Sequence, residues 1–529
     1  MKIYYTKQIP DKIKKLSLIL LPDYYGKSYS YLWDDYGYKT TFRAFFLDDN
    51  VKFDLGFIKI LFKNHFNSHE YIEENFLCSD GIYELSDISK HNFISIGEDL
   101  DYYNIINSKI NNNKRIKKYL KYVKDICFLS SITDDFQSWN GYRESILRDS
   151  SLTSVLSKGL KTALGRYEEL SNFSLEIKQE NGHYLNISFD NKFILPSRIN
   201  VLIGKNGNGK TRTLKYISDT YTGVNNSLKE WPYCNKLIVA SFSPFDHFFT
   251  DKELYLKLGY ENSNNEEIEL INGYSYIGFK DDSFKFNLES FTERSVQSYI
   301  NAISLDKTKK IRQDFNRLSL IHKTLKKSMS FDQIALKDNN GKFILHDEYN
   351  ENDSIDKSYG LVFLDKKQNE IRLSSGQRMY SLFVPSIISS IKRESLLLID
   401  EPELYLHPEL EVGLITMLKQ ILSATNSFAI IATHSAIIAR EIQSDYIHIL
   451  EENYKSRQPD IETLGNSLER ITADVFGDRV TEKPYQEMID QIVESKYANN
   501  IDKAIDELSE ELGSKAISYL YAKKQKNND

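Results

Sequence analysis

The strongest chemical signal lies in eight consecutive residues. Gly204-Lys205-Asn206-Gly207-Asn208-Gly209-Lys210-Thr211 fits the pattern G-x-x-x-x-G-K-[ST], and it follows the short apolar run Ile199 to Ile203 and precedes a helix expected from Thr213 to Ser218. That context marks a phosphate-binding loop rather than an incidental glycine turn. Glycines let successive backbone N–H groups turn inward around the β- and γ-phosphates, aided by the positive end of the next helix. Lys210 adds a point charge, the Thr211 hydroxyl is a Mg²⁺ ligand, and Arg212 continues the loop into the helix.

A second run, Ser395-Leu396-Leu397-Leu398-Ile399-Asp400-Glu401-Pro402, is an apolar strand ending in two adjacent carboxylates. Alone it could be an acidic pair capping a helix. Beside a phosphate loop, Asp400 can hold the Mg²⁺ shell and Glu401 can polarise a water in line with the γ-phosphate. Between the two lies Leu373-Ser374-Ser375-Gly376-Gln377, opening an apolar helix through Met379, Leu382, Phe383, Ile387 and Ile391. Backbone amides and a serine at a helix N-terminus suit a phosphate oxygen. After Glu401 come Leu404-Tyr405-Leu406-His407-Pro408-Glu409, a helix, and the strand Phe428 to Thr433, which ends at His434.

In order and spacing these stretches resemble the ABC-type ATPases, with Ser374, Ser375, Gly376 and Gln377 in the signature loop and Ser375 in place of its first glycine. His434 is similar to their switch histidine, which reaches the γ-phosphate. The wording Asp-Glu-Pro-Glu-Leu-x-Leu-His-Pro resembles the RecF, SMC and OLD branch rather than the transporter branch. The resemblance implies ATP and Mg²⁺ as cofactors and gives catalytic roles to Lys210, Glu401 and His434. It also implies a head-to-tail dimer, in which Ser375 and Gly376 of one copy face the phosphate loop of the other. One departure stands out: the lid glutamine after the second strand is absent, and Ser241, Ser243 or Asp246 takes its place.

Three further stretches, Trp33 to Phe42, Gly56 to Ile60 and Ser241 to Asp246, resemble the PtuA family. These are the ATPases of Septu-type and retron-associated anti-phage defence systems, and the likeness implies an HNH nuclease partner (PtuB-like) and a retron reverse transcriptase with its msDNA. Two other readings compete: a RecF-like DNA-binding ATPase of DNA repair and a nucleotide-binding transporter subunit. Past His434 no strand-borne Asp-x-Asp with an upstream Glu is visible, so an ATPase without nuclease activity of its own is expected.

The elements that must position these residues form an α/β fold, an ABC-type P-loop ATPase head of mixed sheet and covering helices, with helical insertions and a helical C-terminal tail. Residues 1–62, containing a hairpin at 40–62, are expected to complete the first lobe of the head. Residues 63–165 read as a helical insert, 166–250 as the lobe carrying the phosphate loop, and 251–365 as an arm-like insertion. Residues 366–450 form the lobe with the signature and acidic strand, and 451–529 a helical partner-docking region. The arm centres on one helix from 294 to 329 with an apolar stripe through Ile311, Phe315, Leu318, Ile321 and Leu325; its about 36 residues would span about 54 Å, too short for a long coiled coil.

Composition sets the remaining bounds. A chain of 529 residues that is 41% hydrophobic and 27% charged can bury a core, which excludes wholesale disorder. Cys78, Cys127 and Cys234 include no C-x-x-C pair, so neither a disulfide framework nor a cysteine zinc hook is expected. Without a signal peptide or apolar span the setting is cytoplasmic, with no membrane partner. The net charge of -7 conceals two basic stretches suited to a phosphate backbone. One holds Lys109, Lys114, Arg115, Lys117, Lys118, Lys121 and Lys124, the other Lys307, Lys309, Lys310, Arg312, Arg317, Lys323, Lys326 and Lys327.

Overall fold

The computed structural model describes residues 2–9, 17–25, 32, 37–48, 51–110, 112–129, 135–146, 150–167, 172–179, 182–189, 197–225, 234–257, 273–308, 316–350, 352–452, 455–476, 484–497 and 500–528. Two compact units appear, residues 1–465 and 466–529.

The first unit begins with strands β1 (Lys2–Thr6), β2 (Ser17–Pro22), β3 (Thr41–Asp48), β4 (Val51–Phe62), β5 (Cys78–Ser79), β6 (Ile82–Glu84) and β7 (Phe93–Gly97), forming one sheet in the order β5-β6-β1-β2-β3-β4-β7. Helices α1 (Ser68–Asn75), α2 (Leu100–Ile110), α3 (Asn113–Tyr122), α4 (Ile126–Leu129) and α5 (Ser150–Ala163) accompany it. The expected hairpin is present as β3 and β4, antiparallel from Thr41↔Lys59 to Asp48↔Val51. It does not complete the ATPase lobe. One buried cluster joins Leu18, Phe42 and Ile58 to Tyr102, Ile116 and Leu164, so the boundary expected at 62 runs through a single core. Pairing of β1 with β6 and of β4 with β7 ties the two segments together. Of the stretch Trp33 to Phe42, residues 33–36 lie outside the described residues.

The hairpin β8 (Phe173–Lys178) and β9 (Tyr184–Phe189) leads into a second seven-stranded sheet. Its strands begin with β10 (Ile199–Ile203), followed by α6 (Lys210–Tyr221), β11 (Lys236–Ser241), α7 (Asp251–Lys257) and β12 (Tyr274–Ile277). Next come α8 (Leu288–Thr308), α9 (Arg317–Ser328) and a separate three-stranded sheet of β13 (Gln333–Lys337), β14 (Phe343–Leu345) and β15 (Val362–Leu364). The large sheet resumes with α10 (Ser375–Ser390), β16 (Ser395–Asp400), α11 (Pro408–Ala424), β17 (Phe428–Thr433), α12 (Ala436–Arg440), β18 (Ile447–Leu450) and β19 (Ser456–Arg457). Strand order is β12-β11-β16-β17-β10-β18-β19, parallel throughout except β19.

Parallel pairing explains the composition of the central strands. Every residue of β10, β11, β16 and β17 is buried, and a strand covered on both faces reads as a continuous apolar run. Each fully buried Leu or Ile there stabilises the fold by about 1.5–3 kcal/mol. Direction matters more for function: parallel strands deliver their following loops to one edge of the sheet, where ligands of open α/β sheets bind.

The single helix expected over 294–329 is instead α8 and α9. Asn316 is extended (φ -90°, ψ 115°) and its side chain accepts from the Ser319 N–H, an N-cap that starts a new helix. Ile321 and Leu325 of the expected stripe are buried; Ile311 and Phe315 lie outside the described residues. The segment 251–365 also supplies β12 to the large parallel sheet, so only part of it is an insertion.

The second unit contains α13 (Leu468–Phe476), α14 (Pro484–Tyr497), α15 (Ile501–Leu508) and α16 (Ser514–Asn528). Ile489, Val493, Ile501, Ile505 and Leu520 form its small core, and Asp490 accepts from Tyr519 and Lys523. Because β19 pairs with β18, residues 451–465 belong to the first unit rather than to the tail.

Candidate active site

Four loops meet at the carboxyl edge of the large sheet. The phosphate loop follows β10, Asp400 and Glu401 end β16, His434 follows β17, and Ser241 ends β11. The loop's backbone explains its glycines. Gly204 has φ +154° and a Cβ there would sit 2.3 Å from the Leu450 carbonyl oxygen, the same oxygen that accepts from Asn208 Nδ2 at 2.7 Å. Gly209 is left-handed, φ +85°, where the chain turns into α6.

Lys210 is 5% exposed and folds back over its own loop. Its ammonium donates to the carbonyls of Gly204 (3.0 Å) and Lys205 (3.1 Å) and to His434 Nε2 (2.6 Å). An ammonium has no acceptor capacity, so the imidazole accepts and is the neutral Nδ1–H tautomer. Burial, and then the Lys210 charge, push His434 down to about 4. Burial likewise lowers Lys210 to about 8 against the pull of Glu401, Glu403 and Asp400.

Thr211 Oγ1 donates to Asp400 Oδ1 at 3.0 Å. Asp400 is 1% exposed, and burial raises it to about 7 despite the threonine bond. Ser241 is in register with Asp400 on the neighbouring strand, which puts the two side chains on one face of the sheet. Its hydroxyl is buried with no hydrogen-bond partner among the described residues. A carboxylate and two hydroxyls, one of them orphaned, form a hard oxygen set suited to Mg²⁺, which takes one or two carboxylates and completes its shell with water and phosphate. Of the three lid candidates, only Ser241 has an orphaned buried hydroxyl among the described residues. Asp246 is engaged by Tyr276 Oη (2.6 Å), Lys280 (3.2 Å) and the Phe248 N–H (3.0 Å), while Ser243 Oγ accepts from the Phe245 N–H.

The phosphate loop, Glu401 and His434 border a cavity of about 590 Å³. Asn206, Gly207, Gly209, Lys210, Thr211 and Arg212 form one wall, and Glu401 and His434 face it. Glu401 holds a left-handed backbone, φ +49°, an uncommon conformation for a non-glycine residue and one concentrated at functional sites. Lys205 contributes its carbonyl to Lys210. The signature residues stand apart from the cavity. Ser374 and Gln377 form a capping box for α10, with Gln377 N–H to Ser374 Oγ at 3.3 Å and Ser374 N–H to Gln377 Oε1 at 3.0 Å. Ser375 is exposed, and a Cβ on Gly376 would lie 2.8 Å from the Tyr405 carbonyl. None of the four lines the cavity.

Some participants carry no sequence signal strong enough to single them out. Glu403 accepts from Thr433 Oγ1 at 2.8 Å and from the His434 N–H, fixing the switch loop; burial raises its pKa. Glu411 accepts from Ser435, which caps α12. His247 and Lys215 complete the cavity wall. Only Glu403 had a pointer, its place in the Asp-Glu-Pro-Glu run.

Of the basic stretches, α3 presents Lys114, Arg115, Lys117, Lys118 and Lys121 to solvent. The second stretch is divided. Lys323, Lys326 and Lys327 are exposed, but Arg317 is buried, donates to the Ile391 carbonyl at 3.2 Å and lies beside Asp306. Arg317 therefore belongs to the fold and not to a nucleic-acid surface; Lys309, Lys310 and Arg312 lie outside the described residues.

Residues 199–440 match the family model described as an AAA domain, putative AbiEii toxin, Type IV TA system. The α/β fold of this stretch is that of a P-loop ATPase domain. Over 505 residues the chain is also 27% identical to protein ea59 of Escherichia phage lambda, covering 88% of each. The matched stretch of the ATPase domain runs from β10 to the end of α12 and so contains the phosphate loop, the signature, the acidic strand and His434. Such domains use ATP and usually Mg²⁺. No helix among the described residues is long and apolar enough to cross a membrane.

Proposed function

We propose that this chain is the ATP-binding and ATP-hydrolysing switch of an anti-phage defence system, controlling a partner HNH nuclease within a complex that includes a retron reverse transcriptase and its msDNA. The observation that carries the reading is the division of the site. Lys210, Thr211, Glu401 and His434 line one cavity and Asp400 is hydrogen-bonded to Thr211, whereas the turn of exposed Ser375 and half-buried Gly376 lies outside it. A second copy placed head to tail would supply that turn to the γ-phosphate. The PtuA-like stretches, and a matching family whose description names a putative toxin, support the defence setting.

In this reading the residues act in sequence. Lys210 exchanges its carbonyl partners for phosphate oxygens, and the loop amides before α6 hold the phosphates in place. Thr211, Asp400 and Ser241 would hold Mg²⁺, which when bound neutralises charge on the β- and γ-phosphate oxygens. Glu401 orients the attacking water, and His434, kept neutral, contacts the γ-phosphate side. Loss of that phosphate removes the bridge between copies and makes hydrolysis a two-state switch.

The test is assembly. Glu401→Gln with saturating ATP and Mg²⁺ is expected to run at twice the monomer mass and to co-purify with a co-expressed HNH partner. A monomer under those conditions, or a partner that never co-purifies, would reject the switch.

A further inference from the structure

A second cavity of about 500 Å³ lies away from the phosphate loop, among the start of β11, the edge strand β12, the middle of α8 and the last turn of α10. It shares no lining residue with the first cavity. Its wall combines apolar surface from Ile277, Phe291 and Leu305 with a set of polar and charged side chains. Lys236 and Arg294 supply cations, and Asp251 is the single carboxylate among the lining residues. Hydroxyls and amides come from Ser298, Asn301 and Ser389.

The charged groups are held in place by the fold. Arg294 Nη2 donates to the Gly278 carbonyl at 2.7 Å, which fixes the guanidinium and leaves other N–H donors to serve a ligand. Asp251 Oδ1 accepts the Tyr276 N–H at 3.1 Å. Lys236 is 9% exposed; burial is the main cause that lowers its pKa to about 7, with Lys392 and Arg317 lowering it and Asp251 opposing them. The lining thus offers two cationic side chains against one carboxylate, with Lys236 poorly solvated. An anion entering the cavity would restore charge on Lys236 and meet the planar donors of Arg294.

We propose that this cavity is a binding site for a small hydroxylated anion, with Arg294 and Lys236 taking the phosphate or carboxylate and Ser298, Asn301 and Ser389 taking the hydroxyls. About 500 Å³ is the volume of an ordinary small-molecule site. A ligand there bridges α8 to the C-terminal end of α10, the helix that begins at the signature turn.

Calorimetry on the full chain saturated with ADP and Mg²⁺ tests the site with three probes: ribose 5-phosphate, tartrate and inorganic phosphate. Saturable binding of ribose 5-phosphate or tartrate at one site per chain is expected, at least tenfold tighter than inorganic phosphate; whichever binds identifies the anionic group. Arg294→Gln should weaken it at least tenfold. Asn301→Trp, at an exposed rim position, should block it without removing a buried charge, and Lys210→Ala, measured without nucleotide, should leave it unchanged. No saturable binding of either organic probe would overturn the proposal, as would equal affinity for inorganic phosphate, intact binding in Asn301→Trp, or loss in Lys210→Ala.

Discussion

Glu403 offers the sharpest test of how the site is held together. Its carboxylate accepts from Thr433 Oγ1 at 2.8 Å and from the His434 backbone N–H, so it fixes the segment that places His434 Nε2 2.6 Å from Lys210. Replacement by Ala leaves two donors without an acceptor in a largely buried setting, where each orphaned group costs about 1–3 kcal/mol. If about 2–3 kcal/mol of that is expressed in the transition state, turnover falls about 30- to 150-fold. Glu403→Gln keeps one acceptor oxygen but turns an N–H₂ toward the other donor, and a loss of roughly tenfold is expected. Nucleotide binding, which rests on Lys210 and the loop amides, should change by less than about twofold. Steady-state ATP hydrolysis with parallel binding of a fluorescent ATP analogue separates the two quantities. Wild-type turnover in Glu403→Ala would refute the positioning role, and equal losses in binding and turnover would show that the substitution damages the loop as a whole.

Other expectations concern stability and surface charge. Gly204→Ala sets a Cβ 2.3 Å from the Leu450 carbonyl oxygen at φ +154°; a loss of at least about 2 kcal/mol should appear as a lower unfolding midpoint, and an unchanged midpoint would contradict the close approach. His69 and His448 are buried and neutral, held by desolvation at about 3 and about 4. The unfolded chain therefore binds more protons below about pH 6.5, and each histidine should cost up to about 1.4 kcal/mol of stability per pH unit from there toward pH 4. Denaturant titrations between pH 7 and 4.5 would show half that slope if one ring were charged in the fold and none if both were. Reversing Lys114, Arg115, Lys117 and Lys118 to Glu should lower single-stranded DNA affinity and flatten its salt dependence by about 3 in log–log slope. An unchanged slope would make α3 a merely solvated face.

The chemistry of the site was legible where the residue types are few and the spacing is short. A backbone with φ +85° at the mouth of a helix requires Gly209, a phosphate loop requires Lys210 and Thr211 directly after it, and a strand end with two carboxylates has few other uses. The start of α10 at Ser374–Gln377 was legible for the same reason, and the structure adds the capping box that fixes it. Non-local pairing was not. Nothing near Thr41–Phe62 announces that β4 will pair with Phe93–Gly97, or that β1 will take Ile82–Glu84 as its neighbour, so the hairpin was right and its sheet was not. The break at Asn316 was readable in principle from Asn as a cap, but the apolar spacing of 311, 315 and 318 ran across it. Glu403 and Ser241 lay in readable stretches, but their partners Thr433, His434 and Asp400 sit on other strands and loops, and a single sequence gives such pairs no fixed spacing.

The central claim, that the ATPase domain binds and hydrolyses ATP with Lys210 and Glu401 in different roles, rests most directly on one measurement. Mg²⁺-dependent ATP hydrolysis and ATP binding are followed on the full chain, on Lys210→Ala and on Glu401→Gln. Hydrolysis is expected in the wild type and lost in both variants, with binding lost in Lys210→Ala and kept in Glu401→Gln. Equal nucleotide affinity for Lys210→Ala and wild type, or hydrolysis that persists in Glu401→Gln, would contradict it.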